Sequence, residues 1–242
     1  MDVSIPHKIF ERALRALSFF GVALCHGFCD CRIGRSAVLV AERIGVFGGS
    51  FNPIHMGHLV IAEEARQEFQ LSRVLFIPTG DTPGKKMRGG ITKQHRYDMV
   101  KLAIAGNDKF FVSDIEIKRE GPSYTVDTIR ELKTMYPEGT EFYFIAGTDS
   151  IADLPTWKYN RELLASCDFI CTSRAGSEER IKSSMKYFGE LGEKKIHFLR
   201  TPELEISSTA LRRLMREARS VRYLMPDAVI EYIHSHYLYT TI

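Results

Sequence analysis

The sequence of 242 residues lacks the features that mark several large classes of protein. It has no run of about 18 apolar residues, so we expect no transmembrane helix. Its formal net charge is only +3, whereas dedicated nucleic-acid binders usually show a clearly basic face, so we expect no nucleic-acid partner. Internal repeats and long low-complexity segments are missing as well. The length suits one sizeable α/β domain or two small ones.

The chain has only five cysteines, and they are unevenly placed. Cys25, Cys29 and Cys31 cluster near the N-terminus, and Cys167 and Cys171 lie in an apolar segment. An odd and clustered set is unlike a disulfide framework, so we expect reduced thiols and a cytoplasmic location. The N-terminal cluster has a neighbouring histidine, but no second ligand cluster with suitable spacing follows it. We therefore predict no resident metal site.

The first 42 residues do not join the pattern that begins at Arg43. The apolar run from Ala16 to Cys25 follows basic residues, as in a secretory signal, but Leu24 is large where such a signal needs a small residue. We interpret residues 1–42 as an N-terminal extension, either amphipathic or disordered, and residues 43–242 as one domain.

From Arg43 onward, strand patterns alternate with helix patterns. This alternation predicts an α/β fold: a Rossmann-like, doubly wound parallel sheet with helices on both faces and a helical C-terminal portion. In such sheets, ligands bind beyond the carboxyl ends of the strands. The predicted strands cover residues 44–47, 74–77, 110–112, 115–117, 142–145, 169–172 and 195–199. The predicted helices cover residues 59–69, 92–105, 123–135, 207–218 and 226–236, with Thr92 and Ser123 as N-caps.

The stretch from Gly45 to Leu59 joins an apolar strand, a glycine turn, a proline-containing loop and the start of a helix. Gly48 and Gly49 permit backbone N–H groups to approach an anion closely. A helix N-terminus adds unpaired N–H groups and the positive end of a dipole. His55 and His58 add two imidazole donors. This combination predicts a site for a nucleotide phosphate.

Two further segments carry polar chemistry. Ile206 to Arg212 reads I-S-S-T-A-L-R, in which hydroxyl groups begin a helix and a guanidinium follows one turn later. Taken alone, this segment fits an ordinary N-cap and a surface arginine, but beside the first site it favours a second anion site. The single tryptophan, Trp157, lies in a polar segment after Gly147-Thr148-Asp149, which favours an aromatic lid over a ring-shaped substrate.

These motifs carry a resemblance. The runs G-G-S-F-N-P-I-H-M-G-H-L and I-S-S-T-A-L-R resemble the nucleotidylyltransferase superfamily with its H-x-G-H motif. Within this superfamily, the chain resembles the bacterial nicotinate-nucleotide adenylyltransferase family. This narrower resemblance rests on the runs P-S-Y-T-V-D-T and V-R-Y-L-M-P-D-A-V, together with G-T-D and the tryptophan. The match spans about Arg43 to Tyr237. It implies adenylyl transfer from ATP to nicotinate mononucleotide with Mg²⁺, which forms deamido-NAD and pyrophosphate in NAD biosynthesis.

The resemblance also implies roles for individual residues. His55 and His58 are expected to hold the ATP phosphates, and His58 to stabilise the charge that develops in the transition state. A further set of residues is expected to line the ATP pocket or to contact the polyphosphate: Gly48, Gly49, Ser50, Lys85, Ser207, Ser208, Thr209 and Arg212. Thr125 is expected to bind the carboxylate of the second substrate through its backbone, and Trp157 is expected to stack on the pyridine ring. Asp149 is expected to contact a ribose or the metal.

One departure from the family pattern lies in the second loop. Family members carry a run like P-P-H-K, whereas this chain has T-P-G-K-K, so that Gly84 replaces the histidine and Lys85 is kept. Lys85 or Lys86 is left to make the phosphate contact. Three alternatives stay open: a pantetheine-phosphate adenylyltransferase, a fragment of a class I aminoacyl-tRNA synthetase, and a non-catalytic nucleotide-binding protein. Homo-oligomer formation and the choice between nicotinate and nicotinamide mononucleotide are also open.

Overall fold

The computed structural model of the chain describes residues 42–81, 91–173, 178–202 and 204–239. The strands are β1 Arg43–Gly49, β2 Arg73–Pro78, β3 Phe110–Val112, β4 Glu141–Gly147, β5 Asp168–Ser173 and β6 Ile196–Arg200. The helices are α1 Met56–Glu68, α2 Lys93–Ile104, α3 Ile115–Lys118, α4 Thr125–Met135, α5 Thr148–Asp153, α6 Asn160–Ser166, α7 Glu178–Phe188, α8 Glu190–Lys195, α9 Ser208–Arg216 and α10 Asp227–Ser235, with a 3₁₀ turn at Leu154–Thr156.

The six strands form one sheet in the order β3-β2-β1-β4-β5-β6. Every neighbouring pair is parallel. The chain winds outward from β1 in one direction and then from β4 in the other, so the topological switch point lies between these two central strands. The predicted doubly wound α/β fold is confirmed, and its crevice for ligands lies beyond the carboxyl ends of β1 and β4.

Each face of the sheet is covered by its own apolar layer, because successive strand residues point to opposite faces. Phe47 belongs to one layer, with buried residues of α1, α2 and α10. Its neighbour Val46 belongs to the other layer, with buried residues of α4 and α6. The two layers explain why β1 and β4 read as short continuous apolar runs rather than as alternating patterns.

The predicted strand at residues 115–117 is wrong, since this segment is the short helix α3. The Ser113 hydroxyl accepts the N–H of Ile115 at 3.3 Å, and the N–H of Lys118 reaches the carbonyl of Asp114 at 2.9 Å. Short apolar runs do not separate strand from helix by periodicity, and here local turn contacts decide for helix.

The predicted cap at Ser123 is also wrong. Helix α4 begins at Thr125 with Tyr124 at the N-cap, and no side chain caps it. Ser123 is buried, and its backbone N–H donates to the carbonyl of Asp81 at 2.8 Å. The residue is therefore used to join the segment after β2 to the start of α4, which no local pattern reveals.

Two other predicted caps are confirmed. The Thr92 hydroxyl accepts the N–H of His95 at 3.1 Å, and the Ser207 hydroxyl accepts that of Ala210 at 3.2 Å. Helix α1 begins at Met56, three residues before the predicted start, because His55 occupies the N-cap. The sequence pattern did not predict α5 to α8.

Some predictions fall on residues outside the described ranges. They are the extension before Glu42, and Gly84 and Lys85 in the second loop. The division into residues 1–42 and 43–242 stays a prediction. Among the described residues, no helix is both long and apolar enough to cross a membrane.

Candidate active site

A cavity of about 930 Å³ opens at the carboxyl edge of the sheet. Its walls come from the ends of β1, β4 and β5 and from the first turns of α1, α5 and α9. This is the crevice that the switch point predicts, and the volume suits a nucleotide-sized ligand. The predicted residues that line it are His55, His58, Asp149, Ser207 and Ser208.

The two histidines of the H-x-G-H motif stack on each other at the start of α1. Their ring centroids lie 3.7 Å apart with an interplanar angle of 30°. The intervening Gly57 suits this stack, because a Cβ at that position would lie only 3.1 Å from Nδ1 of the buried His55 ring and would press against it. The motif therefore encodes a compact imidazole pair.

His58 is a neutral hydrogen-bond donor in this arrangement. Its Nδ1 accepts the backbone N–H of His55 at 3.2 Å, which assigns the ring proton to Nε2. Burial holds the pKa of His58 well below 6.5, and the nearby His55 lowers it further. The rings of Phe47 and Phe51 meet it edge-on at centroid distances of 5.9 and 5.1 Å. The site thus has a partly buried, oriented N–H group rather than an imidazolium.

The glycine turn serves packing as well as access. A Cβ on Gly48 would lie 3.0 Å from the ring of Phe144, and one on Gly49 would lie 3.1 Å from that of Phe51. The turn is therefore glycine because aromatic side chains pack directly against its backbone.

The first N–H of α1, at Met56, donates to the Leu224 carbonyl at 2.9 Å. This N–H has no partner within the helix, so it is already used by a contact elsewhere in the protein.

The second predicted anion site holds the first loop in place. Arg212 donates to the backbone carbonyl of Asn52 at 2.6 Å and to the hydroxyl of Thr209 at 3.0 Å. Ser208 donates to the carbonyl of Pro53 at 2.8 Å. The observed contacts of α9 are thus with the loop that precedes the histidines. Polyphosphate contacts from Ser207, Ser208, Thr209 and Arg212 stay a prediction.

Two further side chains hold the same loop, and sequence reasoning missed both. Arg96 in α2 is only 1% exposed and donates to the carbonyl of Ser50 at 2.9 Å. The Tyr239 hydroxyl donates to Oδ1 of Asn52. A signal for Arg96 was present, because it lies on the face of α2 that also buries Met99 and Val100, where a charged residue is unexpected.

Thr125 and Trp157, two of the residues predicted for the second substrate, lie on the other face of the sheet. Thr125 is the first residue of α4, and Trp157 follows the 3₁₀ turn. Trp157 is half-buried and meets the Phe144 ring edge-on at 6.2 Å, the same ring that packs under Gly48. The described cavity is not lined by Thr125 or Trp157. Their substrate contacts stay predictions.

Asp149 lies in the cavity wall and forms an ion pair with Arg180, whose Nη1 is 2.7 Å from its Oδ1. Arg180 also lines the cavity and was missed, because nothing in the sequence near it marks a site. Among the described residues, no group of three or more histidine, cysteine, aspartate or glutamate side chains assembles into a metal site.

The doubly wound sheet and the histidine pair beside its switch point define a nucleotidyltransferase domain. In agreement, the chain matches the cytidylyltransferase-like family over residues 46–214. Proteins named "probable nicotinate-nucleotide adenylyltransferase" from Thermoanaerobacter sp. (strain X514) and Moorella thermoacetica are each 44% identical to it over 198 residues, and each match covers 81% of this chain. The matches cover 94% and 91% of those relatives.

The fold also matches solved structures. The nicotinic acid mononucleotide adenylyltransferase of Plasmodium falciparum, complexed with NaAD, aligns with a TM-score of 0.68 at 23% identity, covering 82% of this chain and 97% of that one. A second structure of that enzyme, complexed with APC, aligns with a TM-score of 0.65. These likenesses support the fold, and the sequence relatives support the family. The chain belongs to the nicotinate-nucleotide adenylyltransferase family.

Nucleotidyltransferases of this kind generally use a divalent metal together with ATP. The cavity offers the carboxylate of Asp149, and one or two carboxylates plus substrate phosphates are the usual ligands of Mg²⁺. The residues present therefore suit an ion that arrives with the triphosphate rather than one held in a cage of protein ligands.

Proposed function

We propose that this chain transfers the adenylyl group of ATP to nicotinate mononucleotide, which releases pyrophosphate and forms deamido-NAD. The observation that carries this proposal is the stacked pair of His55 and His58 at the mouth of a nucleotide-sized cavity beside the switch point. The shared name of relatives at 44% identity supports the choice of the second substrate.

The reaction needs no general base. The phosphate of the mononucleotide is largely dianionic near pH 7, since the second pKa of a phosphate monoester is about 6. One of its oxygens forms a bond to the α-phosphorus of ATP, and the bond from that phosphorus to the bridging oxygen of the β-phosphate breaks. The electron pair leaves with pyrophosphate. Catalysis then consists of alignment and stabilisation of charge.

His58 suits this task because it is neutral. A neutral Nε2–H group can donate to a phosphate oxygen as negative charge builds up, without losing a proton to it. Its orientation is already set by the bond from the His55 backbone to Nδ1, so no reorganisation is needed in the transition state. Phe47 and Phe51 cover part of the ring with apolar surface, which lowers the local dielectric and strengthens the interaction.

Mg²⁺ is the metal that we propose for this chain, bound with ATP through its phosphates and neutralising charge that leaves with pyrophosphate. We propose that Asp149, one of the carboxylates that line the cavity, contacts the metal or a ribose. In this proposal Thr125 and Trp157 form the second wall and bind the nicotinate ring. The reaction is proposed to take place in the cytoplasm.

A pyrophosphate-release assay tests the proposal. The protein is incubated with ATP and Mg²⁺ and one acceptor at a time: nicotinate mononucleotide, nicotinamide mononucleotide or phosphopantetheine. We expect the highest kcat/KM with nicotinate mononucleotide. Release only with phosphopantetheine would assign a different adenylyltransferase, and no release with any acceptor would leave a nucleotide-binding protein. His234→Asn, at an exposed position on α10, is the matched histidine control for His58 variants.

A further inference from the structure

A buried arginine and a buried glutamate hold one peptide group between them at the end of β2. Arg96 is 1% exposed and Glu116 is 8% exposed. Arg96 uses the two arms of its guanidinium on two loops: Nη1 donates to the Ser50 carbonyl at 2.9 Å, and Nη2 donates to the Thr79 carbonyl at 2.5 Å. It therefore ties the segment after β1 to the segment after β2.

The opposite side of the same peptide faces Glu116. The bond between Thr79 and Gly80 is trans, so its N–H points away from its carbonyl. That N–H donates to Oε2 of Glu116 at 3.3 Å. Gly80 has no room for a side chain, because a Cβ would lie 2.2 Å from the Glu116 carbonyl oxygen and 2.5 Å from Oγ of Ser123. The peptide is thus enclosed by close contacts on both sides.

The other oxygen of Glu116 continues the chain of contacts to α4. The Thr128 hydroxyl donates to Oε1 of Glu116 at 2.8 Å and accepts from Nη1 of Arg119 at 2.9 Å. Thr128 lies in the first turn of α4, three residues after Thr125. A continuous series of hydrogen bonds therefore runs from the loop before the histidines to the helix that begins the second wall.

We propose that Arg96 and Glu116 are positioning residues, which clamp the Thr79–Gly80 peptide from both sides and so set the spacing between the ATP loop and the start of α4. This inference rests on the proposed function, in which the first loop binds ATP and the wall that begins with α4 binds nicotinate mononucleotide. A misplacement of about 1 Å between bound reactants costs about a hundredfold in rate, so the clamp acts on turnover more than on affinity.

The burial of two charged groups supports a role in geometry rather than in stability alone. Burial raises the pKa of Glu116 and lowers the pKa of Arg96, so both charges are costly where they lie. Apolar residues of similar volume would often be as stable or more stable at such positions. A guanidinium, however, is the side chain whose rigid fork can serve two carbonyls at once.

Two substitutions test the clamp. Glu116→Met keeps most of the volume but removes both acceptor oxygens, and Arg96→Lys keeps the charge but loses the fork. We expect each to lower kcat about a hundredfold while each KM changes less than threefold. Glu120→Met and Lys101→Met, at exposed positions of the same segment and the same helix, are matched controls that should leave both constants within twofold.

A second measurement does not depend on turnover. The amide hydrogen of Gly80 should exchange with solvent at least tenfold faster in Glu116→Met, which has no acceptor for it, than in the unchanged protein, and the exposed-site control should not change it. If Glu116→Met folds poorly, Thr128→Val removes the same link from its far end and should reproduce the loss of kcat. Thr128→Ser keeps the hydroxyl and should keep kcat near that of the unchanged protein.

The clamp is refuted if kcat stays within threefold while the KM for ATP rises, or if the Gly80 amide exchanges at its normal rate in the Glu116 variant. It is also refuted if Arg96→Lys keeps full turnover, because the fork would then be dispensable. Failure of the proposed function appears differently: the unchanged protein would show no pyrophosphate release with nicotinate mononucleotide, whereas the exchange measurement would still report on the clamp.

Discussion

His58 uses its two ring nitrogens for different purposes, and two substitutions can separate them. Asparagine can place its side-chain oxygen near the position of Nδ1, so His58→Asn keeps an acceptor for the His55 N–H and loses the Nε2–H donor. Glutamine can place its side-chain nitrogen near the position of Nε2, so His58→Gln keeps a donor and loses the acceptor.

The size of each effect follows from the site. Loss of one hydrogen-bond donor that faces developing charge lowers kcat by a factor of about 10²–10³, so the kcat of His58→Asn should be lower by that factor. His58→Gln should retain at least tenfold more activity. The 3.2 Å bond from the His55 backbone to Nδ1 contributes about 1 kcal/mol net, so His58→Gln should unfold more easily than His58→Asn by about that amount. Both variants lose the same aromatic contacts with Phe47 and Phe51, which therefore cancel in the comparison.

Steady-state pyrophosphate release and urea unfolding, both at pH 7.5, measure the two differences. The His234→Asn control should match the unchanged protein in both assays. If His58→Asn proved the more active and the less stable of the pair, the proton would be on Nδ1, and the assignment of Nε2 as the donor would be wrong. Equal activities would mean that His58 makes no contact in the transition state.

Three further predictions follow from individual contacts. His58 stays neutral in the folded protein, whereas the unfolded chain binds a proton at this residue below about pH 6.5. The free energy of unfolding should therefore fall by up to about 1.4 kcal/mol for each pH unit below that value. Urea titrations at matched pH values should show that His58→Gln lacks this contribution. Gly57→Ala should gain helix propensity but push the His55 ring, so kcat should drop without a lower Tm; unchanged kcat would show that the stack is not needed. Trp157→Ala should raise the KM for nicotinate mononucleotide more than the KM for ATP. Loss of the Phe144 contact should cost about 0.5–1.5 kcal/mol of stability, in addition to the lost burial of the indole. Equal effects on both KM values would assign Trp157 to the core alone.

Most of the fold could be predicted from the sequence because its signals are local. Strand and helix patterns alternate strongly enough to predict the parallel sheet, and Thr92 and Ser207 were recognisable as caps because each bonds to a backbone N–H three residues ahead. The prediction was wrong at residues 115–117 because a three-residue apolar run has no usable period. The helices at 148–153, 160–166 and 190–195 were missed because they have only six or seven residues, and Glu178–Phe188 was missed because it is mostly polar.

The candidate site was predictable in its first part and not in its second. The H-x-G-H run by itself determined that two imidazoles stand at the start of a helix, beyond the carboxyl end of the first strand, with glycine between them for close approach. That much follows from local geometry, because strand, turn and helix start are contiguous in the chain.

Tertiary structure alone decided what those imidazoles can do. His58 is neutral because Phe47, Phe51 and His55 surround it, which its residue type does not reveal. The loop before it is held by Arg96, Arg212 and Tyr239, which lie 46, 160 and 187 residues away from their partners. Such contacts depend on how the two layers pack, and no local pattern encodes them. The sequence by itself determined which groups are present at this edge of the sheet; the packing decided their protonation, their orientation and the spacing between the walls.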